Sequence, residues 1–342
     1  LYLLGNSHLK LAKKSKLENT IQETNKHSEV GLNHLKSLVD TFPNSDWTDD
    51  AVLSITAAET ASLPDSTRAS QQKERYSAFL ANYPQSNRIH EAKLRIADTD
   101  LTTNDIANAY KTYQAVQTQT DNQQNKERAT YGIGLCQTRL GNPAEAENTL
   151  RDFLFQYPQS DLAPHARFQL GQILLRDLKY YASAAEEFSE LLAAPSSLEL
   201  ERASRSLLAE CYFQLKDYNQ AITIDETLLR RETSPDLLRR LAKSYFNNNQ
   251  HDKAVTTYAH FLRKFPNASD ADSIAFTRAE RLAFLDRTPE AINAFREFAS
   301  KYKSSPLKVQ ADQAIGDLFF QTERYADAIN AYGQIPQTSR NE

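Results

Sequence analysis

The chain has 342 residues, of which 40 % are hydrophobic and 25 % charged, and this balance is typical of a folding chain rather than a disordered one. Its net charge of −4, without a long run of one sign, argues against the basic surface that neutralises nucleic-acid phosphates. The nearest basic cluster is Lys10, Lys13, Lys14 and Lys16, which we interpret as the solvated face of a helix. The sequence shows neither a transmembrane run nor a signal peptide.

The amino-terminal end suggests a longer or processed protein, because the chain starts at Leu1 and contains no methionine. The apolar opening, Leu1 to Leu4, has two readings. It is either the cut end of a signal or anchor helix, or the last turn of a preceding helical hairpin.

A small residue followed by alanine about twelve positions later recurs along the chain with a period near 37. The pairs are Ala97 and Ala109, Gly134 and Ala146, Gly171 and Ala184 (one residue longer), Ala209 and Ala221, Ala242 and Ala254, Ala279 and Ala291, and Gly316 and Ala328. Small residues at fixed spacing mark two helices that approach closely. A period of this length predicts a stack of helical hairpins, an architecture that favours partner binding over catalysis.

The sequence predicts nine hairpins, of which the first two are the least regular. In chain order they run from about His8 to Pro43, Trp47 to Pro84, Arg88 to Thr118, Glu127 to Pro158, Pro164 to Pro195, Arg202 to Thr233, Pro235 to Pro266, Asp272 to Tyr302, and Leu307 to Pro336.

The seventh hairpin shows the local signals best. Ser234 is a good N-cap, and Pro235 follows at the first helical position. Apolar residues then recur at one-turn spacing, as expected for one buried face: Leu238, Leu241, Ala242 and Tyr245. Residues 247–250 break the helix, and Phe265-Pro266 ends the second one.

The hairpins end in a repeated aromatic-proline motif, seen at Phe42–Ser45, Tyr83–Ser86, Tyr157–Ser160 and Phe265–Ala268 and in degenerate form at Tyr302–Ser305. We expect the aromatic residue to join one hairpin to the next and the serine to cap the following helix.

The polar segment from Gln117 to Lys126 has two readings. As an irregular joint, it separates an amino-terminal lobe, 1–120, from a carboxy-terminal lobe, 121–342. Alternatively, it is a longer helix end.

The two cysteines, Cys136 and Cys211, fall in hairpins that are two apart. We predict two buried thiols rather than a disulfide, because one intervening hairpin holds their Cα atoms too far apart. This number of cysteines suits a cytosolic or a periplasmic protein equally.

The hairpins resemble the tetratricopeptide repeat family in the order of their small and aromatic residues. The sixth has Ala209, Tyr212, Tyr218 and Ala221, the seventh Ala242, Tyr245, Ala254 and Tyr258, and the ninth Gly316, Phe319, Tyr325, Ala328 and Tyr332. The resemblance covers Arg88 to Pro336 well and the earlier residues weakly. It implies an all-α, right-handed superhelical solenoid that binds a peptide or protein domain in its concave groove.

The period and the aromatic-proline exits look like those of bacterial family members that work in outer-membrane assembly and the Tol–Pal system. This second resemblance implies an envelope-associated or periplasmic adaptor; the alternative is a cytoplasmic protein.

Catalytic and cofactor motifs were not found. The sequence has no phosphate-binding loop or nucleophile elbow, and Gly132-Ile133-Gly134 lacks the third glycine of a dinucleotide fingerprint. His251-Asp252 is better read as a turn than as a metal site. We therefore expect no enzyme, no cofactor and no metal.

The resemblance implies that residues at four-residue steps on each first helix face the partner. The predicted partner-binding residues are Tyr131, Arg139, Phe168, Arg176, Phe213, Arg239, Lys243, Phe246, Asn247, Phe276 and Phe284. Their basic members and interleaved aromatics suit a peptide with an acidic or carboxy-terminal end.

The competing interpretation of this stripe is an ordinary mixed surface, since Glu210, Glu280 and Asp317 share it. Chaperone-docking family members use a carboxylate clamp, and the row Arg239, Lys243 and Asn247 imitates it only in part.

Three functions follow from the sequence. The first is a structural adaptor, whose partner capture would weaken after Arg239 and Lys243 are changed to Glu. The second is a cytosolic regulatory module of a larger protein. The third, a glycan-processing enzyme, needs a carboxylate pair that we do not find.

Overall fold

The computed structural model describes residues 1–17, 21–193 and 197–335, with no side chains described for 14–25. These residues form eighteen helices and no strand. The helices are α1 Tyr2–Leu17, α2 Ile21–Thr41, α3 Thr48–Ala61, α4 Asp65–Asn82, α5 Ile89–Thr102, α6 Ile106–Gln119, α7 Gln123–Arg139, α8 Pro143–Gln156, α9 Ala163–Arg176, α10 Tyr181–Ala193, α11 Leu198–Gln214, α12 Tyr218–Leu229, α13 Pro235–Asn247, α14 His251–Lys264, α15 Ala271–Phe284, α16 Thr288–Lys301, α17 Lys308–Gln321 and α18 Tyr325–Gly333.

The fold is an all-α helical solenoid, as predicted, and its helices pair in the predicted order. The predicted ends at Pro195 and Pro336 lie outside the described residues. Contacts divide the chain into two compact units, Leu1–Leu178 and Lys179–Glu342. Within a unit, some first helices of successive hairpins contact one another: α1 and α3, α5 and α7, α7 and α9, and α11 and α13. We call the surface that these helices form the first-helix face.

The small residues of the sequence period lie at the closest helix contacts. All fourteen are buried, which confirms the interpretation of the pattern. A Cβ on Gly134 would lie 2.8 Å from Leu150 Cδ2 of α8, closer than real Cβ contacts allow. Glycine therefore sets the spacing of α7 and α8.

Each hairpin turn from the third onward contains one residue in the left-handed backbone conformation. The residue seven positions after the small residue, or eight after Gly171, has a positive φ: Asn104, Gly141, Lys179, Lys216, Asn249, Asp286 and Glu323. In every one of these turns except that of Lys179, the next amide then closes back onto the first helix, as Asn142 N does on Gln137 O at 2.9 Å. Only Gly141 among them reaches this left-handed conformation without a Cβ penalty.

The hairpin exits are tied by aromatic pairs four residues apart. Tyr157 lies 5.5 Å from Phe153 and Phe265 lies 5.7 Å from Phe261, between ring centroids. Phe265 also packs in the cluster that contains Ile274 of the next hairpin, as the joining role requires. The serine of the exit motif does not cap the following helix as predicted. Ser160 Oγ accepts from the amide of Leu162, so it orders the turn before the helix, and Leu162 is the N-cap residue.

The predicted joint between residues 117 and 126 is short. Helix α6 continues to Gln119 and α7 begins at Gln123, which leaves three residues between them. This favours the helix-end reading of the segment over an irregular joint. The lobe boundary after residue 120 stays a prediction of the sequence.

The two cysteines are free and buried, as predicted. Burial raises the pKa of the Cys136 thiol to about 11 and that of Cys211 to about 12. Both are therefore protonated at neutral pH and inert as nucleophiles.

We expect Gly141→Ala to lower the free energy of unfolding by about 1 kcal/mol, because alanine must adopt the left-handed conformation. Gly333→Ala is the matched control, since a Cβ there meets nothing within 4 Å. Urea unfolding of both variants measures the difference. Equal midpoints would contradict the role assigned to the turn.

Candidate functional site

The first-helix face of the first unit carries adjoining depressions on α5 and α7. Asn122 fixes the start of α7 as its N-cap, since its side chain accepts from the amide of Asn125 at 3.0 Å. From this start, Gln124, Arg128, Tyr131 and Leu135 recur at three- or four-residue steps and share one helix face. Side chains of α5 complete the walls.

The first depression, here the apolar cavity, has a volume of about 400 Å³. Its apolar walls include Leu101 of α5, Tyr131 and Leu135 of α7, and Leu162, which precedes α9. Tyr131 is one of the predicted partner-binding residues, and burial raises its pKa to about 12. The cavity suits one bulky apolar side chain.

Asp98 anchors one wall of the apolar cavity. It accepts from the Tyr113 hydroxyl at 2.6 Å and from Arg128 Nη2 at 2.7 Å. Burial, followed by the charge of Asp98, raises the pKa of Tyr113, so this hydroxyl remains a donor at physiological pH. Gly132 makes room for the ring, because a Cβ there would lie 2.6 Å from Tyr113 Cζ.

The second depression, here the arginine cavity, has a volume of about 440 Å³ and polar walls. Its guanidinium groups come from Arg88, Arg95 and Arg128, and its carboxylate is Glu91. Arg88 pairs with Glu91 at 2.6 Å, whereas Arg95 reaches Glu91 only at 3.9 Å. Amide side chains complete the wall: Asn87, Asn122, Gln124 and Asn125.

The two cavities adjoin, because Gln124 and Arg128 line both. Two further depressions adjoin this pair. One of about 290 Å³ shares Arg95 with the arginine cavity and Asp98 and Thr102 with the apolar cavity, and one of about 560 Å³ shares Gln124 with both. We call this continuous series the first-unit groove.

The other predicted residues of the first unit lie apart from these cavities. Arg139 Nη1 donates to the backbone oxygen of Leu101 at 2.6 Å, so it ties α7 to the end of α5. On α9, Phe168 is half-buried and Arg176 is exposed.

In the second unit, the structure brings Phe246 and Phe284 together. Their ring centroids are 5.5 Å apart, and His251 contacts Phe246 at a tilt and Phe284 edge-on. Arg281 lies 4.0 Å above the Phe246 ring. Phe284 remains 61 % exposed. His251 therefore belongs to an aromatic cluster at the hairpin turns.

The remaining predicted aromatics of the second unit have separate surroundings. Phe276 packs against Phe295 and Phe298 of the core and is half-buried. Phe213 is also half-buried and lies 5.8 Å from Tyr218 at the adjacent hairpin turn.

The residues of the predicted basic row on α13 differ in their surroundings: one forms ion pairs within the chain, and the other two are exposed. Arg239 pairs with Asp236 and, at 2.5 Å, with Asp270 before α15. Lys243 and Asn247 are exposed, and Lys243 forms no ion pair among the described residues. Next to them, Arg240 makes a buried pair with Asp225 at 2.6 Å. Burial raises the pKa of Asp225, and the guanidinium of Arg240 opposes that shift.

No group of three or more histidine, cysteine or acidic side chains in the described ranges is arranged to hold a metal ion. None of the helices in these ranges has both the length and the apolar character needed to cross a membrane.

Sequence models of the tetratricopeptide repeat match most of the region from residue 131 onward. The matches cover residues 131–197, 168–236, 236–268 and 276–338. This chain belongs to the tetratricopeptide repeat family. Among curated proteins, none matches the chain significantly.

Solved structures of low sequence identity share the repeat architecture. The carboxy-terminal part of a tetratricopeptide repeat protein from Cytophaga hutchinsonii is 14 % identical, covers 73 % of this chain and 96 % of its own, and has a TM-score of 0.58. The apo form of RapI is 15 % identical, covers 97 % of both chains, and has a TM-score of 0.57. The Pseudomonas aeruginosa protein pilF is 14 % identical, covers 70 % of this chain and 97 % of its own, and has a TM-score of 0.51.

The residues of the arginine cavity on α5 are not among those predicted from the sequence. The predicted partner-facing positions start only at the fourth hairpin, so they do not include the first helix of the third. The sequence pattern that could have indicated this cavity is Arg88 and Arg95, two helical turns apart with Glu91 between them. Their approach to Arg128 depends on the stacking of α5 on α7 and could not be counted along one helix.

We expect Arg239→Glu to lower the free energy of unfolding by about 2 kcal/mol, because it places a carboxylate beside Asp236 and Asp270. Lys243→Glu on the same helix should change it by less than about 0.5 kcal/mol, since Lys243 is exposed. Urea unfolding compares the two variants. Equal stability would contradict a structural role for Arg239.

Proposed function

We propose that this protein is a non-catalytic scaffold that holds an extended segment of a partner protein in the first-unit groove. The observation that supports this most is the adjoining pair of an apolar and a polar cavity on one helical face. Repeat proteins use such extended surfaces for binding. The family match supports a protein-interaction scaffold in general.

We also propose that the groove prefers a partner segment with an acidic or carboxy-terminal end. The residues that support this preference are not the predicted ones, because Arg139 and Arg239 are held by contacts within the chain. The guanidinium groups of the arginine cavity are more suitable donors, since they line a depression.

The cellular setting that we propose is a bacterial envelope complex, with a membrane reached only through a partner or through segments outside this chain. The support is the aromatic-proline exit motif, seen for example at Tyr83–Ser86 and Tyr157–Ser160. The alternative is a cytosolic regulatory module.

We expect crosslinking of the full-length protein in its native cells, followed by fractionation, to recover it with envelope proteins. A cytosolic enzyme or DNA-binding domain on the same polypeptide would contradict the envelope setting and support the alternative.

The binding test uses random peptides displayed between flexible linkers and selected on the full chain. We expect enriched peptides to carry a bulky apolar residue, since the apolar cavity accepts one. Leu135→Gln should then weaken the binding of a synthetic enriched peptide at least tenfold in fluorescence anisotropy, because it puts a polar amide into the apolar wall.

The control is Phe155→Gln on α8, which removes an apolar side chain that is 87 % exposed and does not line these cavities. Its affinity should equal that of the unchanged chain. A loss at Phe155 instead of Leu135 would move the interface to the second helices, and a library without enrichment would contradict peptide binding altogether.

A further inference from the structure

We infer that the first-unit groove recognises an internal Asp or Glu side chain within two residues of a bulky apolar one. This inference rests on the proposed peptide-binding function and specifies its ligand. The carboxylate would occupy the arginine cavity while the apolar side chain fills the apolar cavity. Arg128 and Gln124, which line both, would lie between the two ligand side chains.

The donors of the arginine cavity are only partly used within the chain. Each guanidinium carries five N–H groups. Arg88 makes ion pairs with Glu91 and, at 3.3 Å, with Asp50, and Arg128 makes one with Asp98. Arg95 is the least engaged, because its ion pair with Glu91 spans 3.9 Å and its side chain is 43 % exposed. Arg95 is therefore the main donor to an incoming carboxylate.

The charge balance of the arginine cavity argues against a multiply charged ligand. Its walls hold three guanidinium groups and one carboxylate, and Asp50 and Asp98 pair with Arg88 and Arg128 from the side. The three positive charges are thus matched by three negative ones, so a ligand carboxylate would be held by the weakly engaged N–H groups of Arg95 and not by a net positive charge. These donors suit one carboxylate better than a phosphate, which carries about −1.5 to −2 at neutral pH.

The groove favours a side-chain carboxylate over a chain terminus, because depressions adjoin the two cavities on both sides of α5 and α7. The one on the α3 and α4 side shares Arg95 with the arginine cavity and Asp98 with the apolar cavity, and the one on the α9 side shares Gln124 with both. A bound segment therefore has room to continue on both sides of its acid. Side chains two residues apart in an extended segment point to the same side and are about 6.6 Å apart along its axis, so adjoining cavities on one face read such a pair.

The library described above tests this, because its peptides have no free carboxy-terminus. The expected enrichment is Asp or Glu within two residues of Leu, Ile, Phe or Met. Arg95→Gln should weaken the binding of an enriched peptide about tenfold, the loss of one charge-assisted contact. Glu91→Gln should strengthen it, because a competing carboxylate is removed. Both effects should disappear for the same peptide with its acid changed to Asn or Gln.

Arg151→Gln is the matched control, since Arg151 is 44 % exposed on α8 and lines neither cavity. It should leave the affinity unchanged. Apolar enrichment without an acid, or equal weakening at Arg95 and Arg151, would overturn the inference while leaving peptide binding intact. A library with no enriched peptide would instead contradict the proposed function itself.

Discussion

The close approach of two helices at a small residue is the contact on which the rest of this structure depends. Where Gly134 meets Leu150, the missing side chain lets α7 and α8 pack at contact distance. The left-handed turn residue then folds the chain back in every hairpin from the third onward, at the same register except for one extra residue in the fifth. Because this unit repeats, α5 contacts α7 and α7 contacts α9, and the face that carries the cavities follows from those contacts.

Internal carboxylates decide which arginines are available to a ligand. Asp270 engages Arg239, and Asp225 engages Arg240 in a buried pair. On α5, one carboxylate, Glu91, lies between Arg88 and Arg95 and cannot contact both closely. An arginine is therefore available to a ligand when few carboxylates of the chain lie close to its guanidinium group. The exposed fraction of its side chain does not by itself reveal this.

Much of the fold could be predicted from local signals, while the site could not. The spacing of Ala97, Gly134 and their equivalents gave the hairpins, because close packing restricts those positions to small residues. Tyr131 was found by counting turns along one helix. The arginine cavity needs α5 and α7 side by side, and the pairing of Arg239 needs Asp270 from the following hairpin. Interactions between repeats leave no fixed spacing along a single helix, so counting misses them.

The position of the Tyr113 ring affects how the third and fourth hairpins hold together. It comes from α6, lies against Gly132 of α7, and is held by Asp98 of α5, so this wall of the apolar cavity exists only while the third and fourth hairpins are stacked. A peptide segment bound in both cavities would contact the third and the fourth hairpin at once. Separating the two hairpins by force would then also require breaking the contacts to the peptide, so the protein with an occupied groove would resist tension better than the empty one.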